Sequence, residues 1–247
     1  MDAAALVIIF VALALGSLAK AITGLGLPLI AVPIMSVWLG VETAVVIMAF
    51  PTAATNLWLI WSLREGRHEF QGLWPLFVLS GLGAVGGTYL LASISERAIT
   101  LSITVIIFVF IAMRLLQPEF KLRRDIFRRI AGPVGAAIGI VHGATGVSGP
   151  LVTTYVASAK VPRTPHVFLV SSVFQVVSTV QLAMMISLGL FDRDRAVATL
   201  LAMVPVVLVT PIGLRIGRRI RPETFQRALL VVLGAVGIRL LIRVIAG

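Results

Sequence analysis

The chain contains no cysteine. Disulfides, thiolate-held metals and any sulfur chemistry relayed through a protein thiol are therefore excluded, and the redox compartment stays open. Charge is scarce as well. Charged residues make up 13% of the chain, against about a quarter in a soluble domain. Only 10 of them are acidic, and no aspartate cluster suits a divalent metal or a pyrophosphate. The H-E-x-x-H helix, the Walker phosphate loop and a serine-protease pattern are all missing. The expectation is neither an enzyme nor an ATP-driven pump, and no cofactor. The formal net charge is +11. The bases sit in short loops without an aromatic-interleaved face, so nucleic acid is not the expected partner, and positive-inside topology accounts for them.

Long apolar runs are what the chain has instead. It has 247 residues, of which 59% are hydrophobic, and its mean hydropathy is +1.06. The runs cover 4–22, 28–39, 42–62, 73–92 and 98–117, then 131–141, 149–159, 165–188, 196–214 and 224–245. They are continuously apolar rather than alternating, which predicts an all-α polytopic membrane protein with about 8 membrane segments and not a β-barrel. The first run follows an acidic residue, Asp2, and is expected to be retained rather than cleaved. Trp38, Trp58, Trp61 and Trp74 fall near run ends and read as interfacial anchors.

The same interruption occurs twice. Residues 23–28 read T-G-L-G-L-P and residues 145–150 read T-G-V-S-G-P, 122 positions apart. That offset aligns Thr23 with Thr145, Gly24 with Gly146, Pro28 with Pro150 and Lys20 with His142. It predicts two homologous halves, 1–117 and 130–247, joined by a basic amphipathic linker, 118–129. The linker alternates apolar and basic residues and suits anionic lipid headgroups at 121–129; a plain basic loop is the other reading. A short charged turn after a glycine follows the third run of each half, at Gly66 and Gly189. Segments 28–39, 131–141 and 149–159 hold about a dozen residues and reach about halfway across a bilayer core. Each break is therefore either a kink in one full crossing, giving parallel repeats, or the tip of a re-entrant hairpin, giving inverted repeats. The hairpin arrangement leaves only Arg97, Arg193, Arg195, Arg239 and Arg243 opposite the other bases, the sharper charge bias, and is favoured.

Proline suits the first position of a helix, so Pro28 and Pro150 are expected to open half-helices. The glycines before them, Gly24, Gly26, Gly146 and Gly149, allow a sharp turn and close approach of a ligand. Helix N-termini present free N–H groups and attract anions. Two such ends facing each other would cradle an oxyanion, with Thr23, Thr145 and Ser148 adding hydroxyl donors. Kinking and close helix packing are the plainer explanation of a single break, and the duplication favours a binding site. Lys20 and His142 are ionisable groups inside apolar runs and could balance the charge of an anion; His142 also suits proton coupling. Snorkelling of Lys20 and a neutral, packed His142 are the alternatives. Asn56 and the polar stripe Ser171, Ser172, Gln175, Ser178, Thr179 and Gln181 line the next helices, either along a pathway or in interhelical hydrogen bonds. Glu42 reads as interfacial, and Arg114, Arg239 and Arg243 as snorkelling near span ends.

At these motifs the chain resembles the sulfite exporter TauE/SafE family of bacterial permeases, which carries a G-x-G-G-G-x-x-x-x-P type signature early in each half. The first copy here is Gly24-Leu25-Gly26-Leu27-Pro28, with Pro33 at the distal proline. The second is Gly146-Val147-Ser148-Gly149-Pro150, with Tyr155 where that proline would stand. The G-R-H-E-F stretch at 66–70 resembles a short hairpin of the family. The resemblance covers nearly the whole chain. It implies a multi-pass protein of the bacterial inner membrane, a secondary transporter of a small anion such as sulfite or sulfoacetate. A channel-like facilitator, or a non-transporting subunit of a partner complex, is the alternative. Assembly as a homodimer is compatible with either.

Overall fold

In a computed structural model, residues 3–23, 27–70, 72–116, 122–217 and 222–246 are described. Among them there is no strand. Eleven α-helices follow in order: α1 Ala3–Thr23, α2 Pro28–Leu39, α3 Val41–Ser62, α4 Trp74–Ser93, α5 Glu96–Leu116, α6 Arg124–Arg129, α7 Ala131–Thr145, α8 Gly149–Ala157, α9 Arg163–Ser187, α10 Arg193–Gly217 and α11 Pro222–Ala246. A 3-10 helix, Arg64–Phe70, precedes α4. Seven helices, α1, α3, α4, α5, α9, α10 and α11, are long and apolar enough to cross a membrane, and α2 is a shorter apolar helix. Every apolar run read from the sequence corresponds to one helix.

The helices stop where backbone chemistry requires it. Gly40 separates α2 from α3 at φ +82°, and the amide of Val41 beyond it donates to Glu96 Oε1 at 3.2 Å. Pro28 opens α2, and Pro150 lies in the first turn of α8.

In both halves the helix after the break folds back toward the helix before it. In an unbroken helix Gly16 and Ala31 would lie about 22 Å apart, at 1.5 Å per residue. Instead, a Cβ placed on Gly16 would touch Ala31 Cβ at 3.3 Å and Leu27 O at 2.9 Å, so α2 folds back along α1. The second break behaves likewise. Leu122 N donates to Ser158 O at 3.1 Å, and Tyr155 Oη donates to Phe127 O at 2.7 Å. The rings of Phe127 and Tyr155 stack at 4.3 Å. A continuous α7–α8 rod would carry Ser158 about 40 Å from Ile130. The segment from Leu122 to Ile130, mostly helical, is far too short to follow it. The end of α8 therefore returns to the entrance of α7. Tyr155, at the position of the missing distal proline, makes that return contact.

The chain groups into two compact units: 1–51, 94–117 and 191–247 form one, and 52–93 with 118–190 the other. The boundary falls at Pro51, inside α3. Each unit draws on both sequence halves. In the first, α10 packs along α1 and α11 along α5; in the second, α4 packs along α7 and α9. The first half thus lends α4 to the unit that holds the second hairpin, and the second half lends α10 and α11 to the unit that holds the first.

In the first unit, charged side chains gather at one end. Arg195 Nη1 meets Glu42 Oε1 at 2.7 Å, and Arg243 donates to Ser36 O at 2.8 Å and reaches Glu96 at 3.4 Å. In the second unit, the α4–α7 contact is built on glycine. A Cβ on Gly135 would strike Leu76 O, one on Gly139 would strike Ser80 O, and one on Gly143 would lie 2.5 Å from Ala84 O. The pairs advance together by four residues, so α4 and α7 run parallel with their backbones in contact. Small residues four apart permit that approach in membrane helices. The resulting core includes Leu76, Ala84, Ile138, Val152, Val173 and Val177.

Candidate functional site

The tip of the α7–α8 hairpin carries the densest buried polar cluster among the described residues. Residues Thr145 to Pro150 are all buried, as is His142. Helix α7 ends at Gly146, whose φ of +68° is left-handed and suits a residue without Cβ. Its amide donates to His142 O at 2.6 Å. Thr145 Oγ1 donates to Val141 O at 2.6 Å and accepts from Val147 N at 3.1 Å, which turns the chain. Helix α8 then starts at Gly149 and Pro150, and Val152 N bonds back to Ser148 O at 3.1 Å.

Ser148 stands at the cap position of α8 but makes no side-chain cap bond. Its Oγ lies 3.0 Å from His142 Nδ1 instead. On the other side of the ring, His142 Nε2 lies 3.3 Å from Ser178 Oγ of α9. A neutral imidazole donates from one nitrogen and accepts at the other, and each serine hydroxyl can play either part. Both tautomers, and the doubly protonated ring, can therefore be satisfied by rotation of two hydroxyls. Gln181, one turn beyond Ser178, donates from Nε2 to His142 O at 2.8 Å and to Gly143 O at 3.0 Å. The Phe174 ring closes the cluster, 5.8 Å from the imidazole centre. Thus α9 holds the tip through a stripe spaced by three and four residues, which is one helix face.

The residues read from the sequence divide as follows. His142, Thr145, Gly146, Ser148, Gly149 and Pro150 form one continuous tip. Gln175 is half-buried one turn away and donates to Thr179 Oγ1 at 2.9 Å rather than reaching the imidazole. In the other hairpin, Lys20 is half-buried in the last turns of α1, and Pro28 is buried at the start of α2. Asn56 is buried in α3. The Thr23 side chain, Gly24 and Gly26 lie outside the described residues. Ser178 and Gln181 were part of the polar stripe but not candidates for the site, since a stripe does not tell which of its members meets the tip. One signal was available: the repeat offset of 122 places Asn56 on Ser178. A polar residue thus recurs on the third helix of both halves, α3 and α9, as Lys20 and His142 recur on the first. No group of three or more metal-ligating side chains occurs among the described residues.

Seven helices long and apolar enough to span, a short helix folded back in each half and a buried polar tip are the features of a multi-pass membrane protein. The chain belongs to the sulfite exporter TauE/SafE family of membrane permeases, whose model matches residues 8–240. No curated protein and no solved structure gave a significant match.

Proposed function

We propose that the protein is a secondary permease of the bacterial inner membrane that carries a small sulfur oxyanion or organosulfonate, such as sulfite or sulfoacetate. The observation that carries this reading is the tip at 142–150. There a helix N-terminus keeps its cap side chain turned away, onto a histidine, in a chain that belongs to a family of sulfite exporters. An uncapped helix start retains N–H donors for an anion. The Thr145, Ser148 and Ser178 hydroxyls add further donors, and His142 supplies the charge that accompanies a proton. Each half contributes one such tip, with Lys20 and Pro28 as the first half's counterparts.

The repeats are inverted in this proposal. A hairpin followed by three full crossings leaves the chain on the side opposite its start, so the second copy runs upside down. Alternating access then moves one compact unit against the other.

Flux in proteoliposomes tests the function. Sulfite, sulfate, sulfoacetate, taurine and a carboxylate control are offered at two pH values. Saturable flux of a sulfur oxyanion, faster with an imposed proton gradient and uncoupled from that gradient in His142→Gln, is expected. Folded protein that moves none of these anions sinks the proposal. Flux that does not saturate turns it toward a channel.

A further inference from the structure

A cavity of about 260 Å³ opens in the first unit beside the last two turns of α11. Its lining is Val37 of α2 with Arg239, Leu240, Ile242 and Arg243 of α11. The two arginines are four residues apart and share a helix face, but they are used differently. Arg243 closes the end of α2 through Ser36 O and meets Glu96. Arg239 lies over the exposed Trp38 ring, 4.9 Å from its centre, and among the described residues makes no hydrogen bond or ion pair. Snorkelling explains why an arginine stands near a span end. It does not explain why this one lies over a tryptophan ring beside a cavity while its neighbour takes the nearby carbonyl and carboxylate.

We propose that this cavity is the seat of an anionic phospholipid, with the headgroup phosphate on the Arg239 guanidinium. The chemistry of the lining selects the ligand. A guanidinium held by a ring face keeps its N–H fork available for two phosphate oxygens. The carboxylates at this end are already engaged, Glu96 with Arg243 and Glu42 with Arg195, which leaves the Arg239 charge for the opening. The remaining walls, Val37, Leu240 and Ile242, are apolar and suit the glycerol and first acyl carbons. A free oxyanion has no use for them. Trp38 is exposed near the end of α2, and a tryptophan in that position suits the headgroup level of a bilayer. The site is separate from the hairpin tips and owes nothing to the transported substrate.

The test uses the full-length protein, purified and delipidated in a neutral detergent. Melting temperature is followed while phosphatidylglycerol, phosphatidylcholine, inorganic phosphate or sn-glycerol 3-phosphate is titrated. Phosphatidylglycerol is expected to raise the melting temperature saturably, with one tightly held copy per chain by native mass spectrometry. In Arg239→Gln its half-saturating concentration should rise about tenfold or more, the loss of one charge-assisted contact. Val37→Phe keeps both arginines and fills the cavity, and should weaken the response comparably. It also serves if Arg239→Gln does not fold. Arg114→Gln is the control: Arg114 also lies over a ring, that of Phe110, but away from this cavity, and the variant should respond as wild type. The proposal falls if Arg239→Gln and Val37→Phe titrate like the parent, or if Arg114→Gln weakens binding as much as they do. It falls too if phosphatidylcholine is as effective. Stabilisation by inorganic phosphate or glycerol phosphate at the same concentrations overturns the lipid assignment in favour of a free oxyanion.

Discussion

Gly139→Ala adds one methyl group at the tightest point between α4 and α7. The new Cβ would overlap Ser80 O and lie 2.7 Å from Ala84 N and 2.9 Å from Gly83 Cα. All three are backbone atoms, so no rotamer change relieves the clash. The helices must part by about 1 Å, and overpacking of this kind costs about 1–3 kcal/mol. The displacement also loosens the contacts at Gly83, Gly87, Gly135 and Gly143, which places the cost near the upper end. Alanine returns about 1 kcal/mol of helix propensity. The net loss is then about 2 kcal/mol, which for a chain of this size lowers the melting temperature by about 4–8 °C. Gly86→Ala is the control on the same helix: Gly86 is exposed, and its Cβ would meet nothing within 4 Å. That variant should melt at or slightly above the parent. Because Gly83 and Gly139 face each other, one displacement serves both, and Gly83→Ala combined with Gly139→Ala should cost less than the sum. The assay is thermal unfolding in detergent, followed by loss of the monodisperse size-exclusion peak. If Gly139→Ala melts with Gly86→Ala, the parallel backbone contact is wrong.

Three further outcomes are expected. Gln181→Leu removes two donors from the carbonyls of His142 and Gly143 and should destabilise by about 1–3 kcal/mol, while Gln175→Leu, which touches neither carbonyl, should cost less in the same melting assay. Tyr155→Phe keeps the stack on Phe127 but loses the 2.7 Å bond to Phe127 O, and a fall of about 1 kcal/mol is expected; Tyr155→Ala should lose both and fall further. Thr145→Val or His142→Ala should lower anion flux at unchanged membrane abundance, as read by vesicle uptake against immunoblot; normal flux from the well-expressed double variant would exclude the tip as the substrate site.

The helices were legible in the sequence because an apolar run bounded by Gly, Pro and charge has few other uses in a chain this poor in charge. Helix α8 is a case: the run 149–159 becomes a helix at Gly149–Ala157. The fold-back of the half-helices was readable only as the better of two arrangements, through the side on which the bases fall. A contact such as Tyr155 on Phe127, set by a single hydroxyl, leaves no periodic trace. The glycines at 135, 139 and 143 are visible as a spacing of four. Such a spacing says that something comes close, not that the visitor is α4. At the tip, His142 and Ser148 were legible from the duplication. Ser178 and Gln181 were harder to pick out, because a polar stripe on a long helix has several members and only packing decides which of them faces the imidazole.

The exchange of helices between the two halves has a consequence for how the chain is made. While the first half leaves the ribosome, α1, α4 and α5 each wait for a partner that has not yet been synthesised, α10, α7 and α11 respectively. The glycine-lined face of α4 stays open to lipid until residue 143 has been inserted, and α1 until Gly213, which rests on Ala21, has followed. Assembly is thus ordered by translation, with the second hairpin docking before the first is covered. A chain stopped after residue 117 would hold three helices without their partners, and such a fragment should be found with the membrane quality-control proteases. Supplying residues 118–247 in trans should rescue it.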